Sequence, residues 1–230
     1  MKALLIPFAT LLAATITTSA SSMEPVPADK PTHVVELFTS QGCSSCPPAN
    51  RFVTKLSDDP DMLVLTYGVT YWDYLGWTDT FGDPEFTKRQ REYRDAFGAP
   101  NIYTPQIVLS GTTHSSRYSK SDVAEMALPK TGVGLSFTRS GDLLMVETDT
   151  TNDIIIDIVS FTTGDQSVDV KRGENRGRKL KLTNVVTDIH TLEWKDQSAT
   201  LLMPEVEGTQ YAALIHDRET AQILEAAVLD

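Results

Sequence analysis

The chain has 230 residues, a formal net charge of −11 and a pI near 4.8. That acidity argues against nucleic acid or an anionic membrane surface as a partner. The length suits one large or two small domains.

Met1-Lys2 supplies a positive start, Ala3 to Thr15 is apolar, and Thr18-Ser19-Ala20 offers small residues for cleavage. This pattern predicts a signal peptide over 1–20 and a periplasmic or secreted protein of about 210 residues. The apolar run is short for a bilayer span and has no basic stop-transfer flank. A retained anchor would differ only in tethering the domain. Residues 21–31, rich in Ser and Pro, read as a linker.

From there strand and helix patterns alternate. Val34 to Phe38 predicts a short strand. Ala49, Phe52, Val53 and Leu56 then fall at i, i+3, i+4 and i+7, the stripe of a helix. Pro47 and Pro48 suit only its first turn, where the missing N–H groups cost nothing. Met62 to Val69 predicts a buried strand. Asp83-Pro84-Glu85 starts a second helix, with Phe86, Gln90, Tyr93 and Phe97 on one face until Gly98 stops it. Gln106 to Leu109 predicts a strand that turns at Ser110-Gly111 into Thr112 to Arg117. Ser119 and Asp122 have the spacing of a capping box for a helix through Leu128. Residues 32–130 therefore read β-α-β-α-β-β-α.

From about Thr131 the segments become short and β-branched, punctuated by Gly, Asp and Asn: 133–138, 142–149, 153–161, 166–171, 178–187, 199–203, 210–216 and 222–229. Such spacing predicts a β-rich, sandwich-like region over 131–230. Whether it forms a separate domain or extends the first is open at this stage.

The chain's two cysteines stand in Gly42-Cys43-Ser44-Ser45-Cys46, between the first strand and the first helix. A thiolate is the attacking species in disulfide exchange. A cysteine just ahead of a helix feels the positive end of the dipole and nearby unpaired N–H groups, which lower its pKa. Cys43 is thus expected to be the more exposed, attacking thiol, and Cys46, inside the first turn, the resolving one. Hydroxyls of Ser44 and Ser45 could donate to the thiolate. As a staple the pair would contribute little, since closing so small a loop is worth about 2 kcal/mol in the chain-entropy model.

Phe38-Thr39-x-x-Gly42-Cys43-x-x-Cys46 resembles the active-site strand and turn of glutaredoxins, and Thr104-Pro105-Gln106-Ile107-Val108-Leu109-Ser110-Gly111 resembles their cis-proline strand. With Tyr71-Trp72-Asp73-Tyr74-Leu75-Gly76-Trp77 and Arg172-Gly173-Glu174-Asn175-x-Gly177-Arg178, the whole mature chain resembles an uncharacterised family of secreted bacterial thioredoxin-like proteins. The resemblance implies an α/β thioredoxin-like domain over 32–130 and a cis bond at Pro105. Where that family's pattern carries a His and an Asp ahead of the Tyr-Trp-Asp-Tyr segment, this chain has Gly68 and Thr70. A cis Pro105 would turn the backbone of Thr104 toward Cys43, so that its N–H and C=O could pair with an extended substrate.

Other residues carry weaker indications. Glu36, in an apolar strand, is a candidate proton relay to Cys46, with solvent exposure at a sheet edge as the plain alternative. Tyr71 to Trp77 could wall the thiols or simply pack. Arg172 to Arg178 predicts a Gly-rich hairpin turn with an arginine docked on the first half. His33, His114, His190 and His216 are scattered, so a zinc or Cu(I) site on the two thiols lacks an evident second pair of ligands. No bound metal or cofactor is expected, and no P-loop or dinucleotide fingerprint is present in the sequence. The leading expectation is an exported thiol–disulfide oxidoreductase acting on a protein or small-molecule thiol or disulfide, with a membrane redox partner as a candidate. A non-catalytic binding protein on the same fold, or a copper- or thiol-handling protein, is the alternative.

Overall fold

The computed structural model describes residues 22–150, 153–193 and 198–229. The expected signal segment, 1–20, lies outside them. Among the described residues the chain forms thirteen strands and three α-helices. The strands are β1 (Glu24–Pro25), β2 (Ala28–Asp29), β3 (His33–Thr39), β4 (Met62–Gly68), β5 (Gln106–Leu109), β6 (Thr113–Ser115), β7 (Leu135–Ser140), β8 (Leu143–Thr148), β9 (Ile154–Asp169), β10 (Lys179–Glu193), β11 (Ser198–Leu202), β12 (Thr209–Asp217) and β13 (Ile223–Leu229). The helices are α1 (Pro47–Leu56), α2 (Pro84–Ala96) and α3 (Lys120–Ala124).

Nine strands join one mixed sheet in the order β2-β13-β12-β9-β10-β4-β3-β5-β6, and β1-β7-β8-β11 make a second. The change of character near Thr131 therefore does not separate two sheets. β10 lies parallel to β4, with Val185 opposite Thr66, and so continues the sheet begun by the first half. A bulge at Asn184 (φ 45°) makes this junction. There the Asn184 amide donates to the Val64 carbonyl at 3.1 Å, and its Oδ1 accepts from Gly164 N–H at 3.0 Å. The segments 153–161 and 166–171 are one long strand, β9, which pairs antiparallel with β10 over most of its length. Residues 22–31, expected as a linker, instead lay β1 on β7 and β2 on β13.

Alternation along the strands sorts the core into layers. Val34 and Phe38 of β3 face one side, packed with Leu65, Tyr67, Val159, Ala212 and Leu214 and covered by Phe86 and Tyr93 of α2. Val35 and Leu37 face the other side, against Ala49, Val53 and Leu56 of α1 and Val123 of α3. Further along that second side, Ile154, Ile156, Ile158, Ala213 and Ile215 pack with Phe137, Leu144 and Val146 of the four-stranded sheet. The C-terminal region is thus a local sandwich whose larger layer is shared with the α/β part.

Helix α1 follows its predicted stripe, with Pro47 and Pro48 in the first turn. Asp83 caps α2 by accepting from Glu85 N–H at 2.8 Å. Helix α3 has the expected capping box but ends at Ala124 instead of running through Leu128. The backbone beyond it bonds elsewhere: Leu128 N–H donates to the Thr32 carbonyl at 2.7 Å, and the Met126 carbonyl accepts from Ser110 Oγ at 2.6 Å.

Candidate functional site: the Cys43–Cys46 turn

Cys43 and Cys46 form a disulfide at the mouth of α1. β3 ends at Thr39, the chain turns with Cys43 N–H on the Ser40 carbonyl at 3.1 Å, and Cys46 takes the N-cap position. Gly42 sits where the chain crosses the aromatic segment: a β-carbon there would lie 3.0 Å from Trp72 Cβ. Thr39 Oγ1 donates to Asn50 Oδ1 at 2.8 Å and ties the strand end to the helix. Ser45 Oγ approaches Cys43 Sγ at 3.3 Å, so one of the two serines does reach the sulfur. Pro47 and Pro48 withhold two of the N–H groups that a helix start would otherwise offer a thiolate. Both cysteines are fully buried in this oxidised state. The expectation that Cys43 is the more exposed of the two does not hold here, because loops from two directions close over the turn.

The first is the segment 71–82. Gln41 N–H donates to Asp79 Oδ2 at 2.7 Å, and Gln41 Oε1 accepts from Trp77 Nε1 at 2.8 Å. Burial pushes the Asp79 carboxyl up, while the Gln41 and Phe81 N–H groups bonded to it oppose that shift. Trp72 Nε1 donates to Thr104 Oγ1 at 2.7 Å, linking the segment to the proline loop. Burial pushes the Tyr71 hydroxyl, beside Gln90 and Thr104, up to about 12. Gly68, at the end of β4, has no room for a side chain: a β-carbon would come within 2.4 Å of the Phe81 carbonyl oxygen. Thr70 is occupied with Thr87, whose Oγ1 accepts from Thr70 N–H at 3.2 Å.

The second is the loop between β9 and β10. Asn175, fully buried, donates through Nδ2 to the carbonyls of Gln41 at 3.0 Å and Cys43 at 2.8 Å. Arg178 Nη1 donates to Asn175 Oδ1 at 2.9 Å, so this arginine braces the loop from within instead of docking on the first half. Glu174 Oε2 accepts from Ser44 N–H at 3.1 Å. Ser44 holds the Glu174 carboxyl below its usual range. Gly173 (φ 74°) packs beside the first loop: a β-carbon there would lie 3.7 Å from Trp77 Cβ and 4.0 Å from Gly42 Cα.

The Thr104–Pro105 bond is cis. Thr104, Pro105 and Ile107 form one wall of a groove of about 500 Å³ whose other wall is Ser45, Pro48 and Phe52 of the dithiol turn and α1. Arg117 and Tyr118 also line it. Ser45, which stands between the two cysteines in sequence, thus lines the same groove as Thr104 and Pro105.

It does not bring Glu36 there. Glu36 shares its face of β3 with Val34 and Phe38, away from α1. It is fully buried and accepts from Arg89 Nε at 2.7 Å and from the Tyr93 hydroxyl. Arg89 also pairs with Asp157 Oδ2, which lies 3.1 Å from His216 Nε2. Burial pushes the Asp157 carboxyl up, but Arg89 and His216 outweigh it and hold the group well below the carboxylate range. The relay to Cys46 is thus corrected to a buried ion-pair cluster under α2. The other histidines are also engaged away from the thiols: His33 with Thr32 Oγ1 at 2.8 Å, His114 with the Tyr103 hydroxyl at 2.7 Å, and His190 with Asp188 at 3.1 Å. Among the described residues no three His, Cys, Asp or Glu side chains gather as metal ligands. Also among them, no helix is long and apolar enough to cross a membrane.

Asp79, Glu174 and Asn175 were not singled out individually from the sequence. The one available sign was the Gly-rich run 172–178, since two glycines around an Asn mark a chain that must turn tightly against something.

The chain belongs to the DUF1223 family, proteins of unknown function, whose profile matches residues 34–216. It is also similar to an Agrobacterium tumefaciens protein of known crystal structure, at 32% identity and a TM-score of 0.67, over 86% of this chain and 94% of that one. Comparison with curated proteins gave no match.

Proposed function

We propose that the protein is an exported thiol–disulfide oxidoreductase built on a thioredoxin-like α/β unit, acting in the periplasm or outside the cell. The observation that carries this reading is the disulfide at the N-terminus of α1 beside a groove walled by Thr104 and Pro105. In the reduced protein the Cys43 thiolate attacks a client disulfide, forming a Cys43–client mixed disulfide and releasing one client thiol. Cys46, as thiolate, then attacks the Cys43 sulfur. The second client thiol leaves, and the Cys43–Cys46 disulfide is restored. Two electrons and two protons pass to the client, and the reverse sequence oxidises it. The groove suits an extended segment of a protein client, with apolar side chains against Phe52 and Ile107 and its main chain along Thr104.

Burial of both sulfurs favours a second reading, in which the disulfide is static and the fold serves as a binding module. Equilibration of the full chain in glutathione redox buffers separates the two. The oxidoreductase reading expects a midpoint between about −270 and −120 mV, the range of known exchange proteins. It also expects a Cys46→Ser variant to trap mixed disulfides that Cys43→Ser does not form. A disulfide resistant to glutathione, with a midpoint below about −300 mV, would hand the lead to the binding module.

A further inference from the structure

Three features of the dithiol turn point the same way. Two of the first N–H positions of α1 are prolines and cannot donate. The N–H of Ser44, next to Cys43, is already used by the carboxylate of Glu174. That carboxylate is brought onto the turn from the other half of the chain, 130 residues further on. A negative charge at this place acts against a Cys43 thiolate, in opposition to the helix dipole.

We infer that Glu174 is a positioning residue of the dithiol, held on Ser44 by the buried Asn175 beside it, and that its charge shifts the Cys43–Cys46 pair toward the disulfide. This deepens the oxidoreductase reading and rests on it. It assigns the β9–β10 loop a part in setting which way electrons flow: the pair is a weaker oxidant of client dithiols than the turn and helix alone would make it.

The charged groups that face the turn come from the β9–β10 loop and from segment 71–82, where Asp73 accepts from Asp79 N–H at 3.1 Å. Glu174 lies on Ser44, Asp79 lies under Gln41, and Arg178 is engaged behind Asn175. The first turn of α1 carries no acidic residue, and Arg117 lines the same groove as Ser45. Asp79 also lies near the turn, but burial favours its neutral form, whereas Ser44 favours the charged form of Glu174. Of the two acids, Glu174 is therefore the more firmly ionised. Asn175 sets the geometry, because its amide fixes the carbonyls on either side of Gly42 and so fixes where Ser44 N–H points.

Glu174→Gln isolates the charge, since glutamine can still accept from Ser44 N–H and the position is exposed. Two measurements on the full chain test it against wild type and Glu174→Asp. The first is alkylation of Cys43 in the reduced protein as a function of pH, assigned by mass spectrometry. The second is the reduction midpoint in glutathione buffers at low and high salt. Glu174→Gln is expected to lower the pH at which Cys43 becomes reactive. It should also raise the midpoint by about threefold to tenfold in the exchange equilibrium, or about 14–30 mV. Glu174→Asp should stay near wild type. The gap should shrink in 1 M salt, where screening acts within about 3 Å; a purely structural role would not respond in that way. An unchanged or lower midpoint, with Cys43 reacting at the same pH as in wild type, overturns the inference while leaving the oxidoreductase reading intact. A wild-type disulfide that glutathione does not reduce overturns the oxidoreductase reading, and the alkylation profile still decides what Glu174 does to the thiol.

Discussion

Glu36 and Thr39 lie on the same strand but on opposite faces, and the polar regions they belong to are built differently. On the Glu36 side, full charges are buried and matched within the protein: Arg89 of α2 joins Glu36 of β3 to Asp157 of β9, with His216 of β12 alongside. On the Thr39 side the dithiol turn is held by single hydrogen bonds to backbone, from the Asn175 amide and to the Asp79 carboxyl, and its one exposed carboxylate arrives from a distant loop. The ion-pair cluster ties strands from both halves of the chain to one helix. The turn contributes Ser45, next to Cys46, to an open groove. A strongly shifted pKa marks the first region, yet structural ion-pair networks shift pKa values as readily as active sites do. The functional candidate is the region where chemistry and access meet.

The contrast can be broken most severely at the sulfurs. Cys43→Ser should abolish exchange with glutathione and with a protein disulfide. Its cost in unfolding free energy should be no more than about 2 kcal/mol, the worth of so small a loop. A denaturant titration alongside the exchange assay checks both. Arg89→Met should do the reverse. Removing the shared cation strands Glu36 and Asp157 in the core, at a cost of about 3–5 kcal/mol, while the reduction midpoint of the folded protein stays at the wild-type value. A variant that unfolds easily and also shifts the midpoint would show that the two faces are coupled.

Acid should find the same cluster. Asp157 titrates lower in the folded chain than in the unfolded one, so its ionised form stabilises the fold above about pH 4. That contribution is lost as the pH falls further toward the folded value. The denaturant midpoint of wild type should therefore drop between pH 5 and pH 3, and Asp157→Asn should drop less over the same interval. A further change is expected at Asn175→Ala, which leaves the Gln41 and Cys43 carbonyls without their partner. A loss of about 1–3 kcal/mol fits two buried acceptors left open. Reduction of the disulfide should be faster than in wild type, as read by the rate of thiol release in dithiothreitol.

Features that repeat locally were legible in the sequence. The stripe of α1, the caps of α2 and α3 and the strand segments of the second half follow from periodicity and from residues a few positions apart. The dithiol and Pro105 were legible because their residue types are rare and their positions in the element order are telling. What could not be read depends on tertiary partners. The end of α3 is set by where Leu128 and Thr32 meet, not by its own propensity. Glu36 looked like a relay because alternation alone does not tell which face of β3 carries α1. Asn175 and Glu174 were invisible as partners because nothing in sequence links residue 175 to residue 43. The continuity of the large sheet was hidden for a related reason: it hangs on Asn184, one bulged residue inside a strand pattern that otherwise looks uninterrupted.

The two short strands at 24–29 matter beyond their length. Each caps the unpaired end of a different sheet, one on β7 and one on β13. Exposed strand edges recruit other chains, and β13 is apolar along much of its length. This segment therefore covers part of one edge of each layer in a single pass of chain, while β6 and β11 form the opposite edges. A protein trimmed to begin after Pro31 would keep the dithiol, the groove and the ion-pair cluster, and would still be exposed to edge-to-edge pairing in solution.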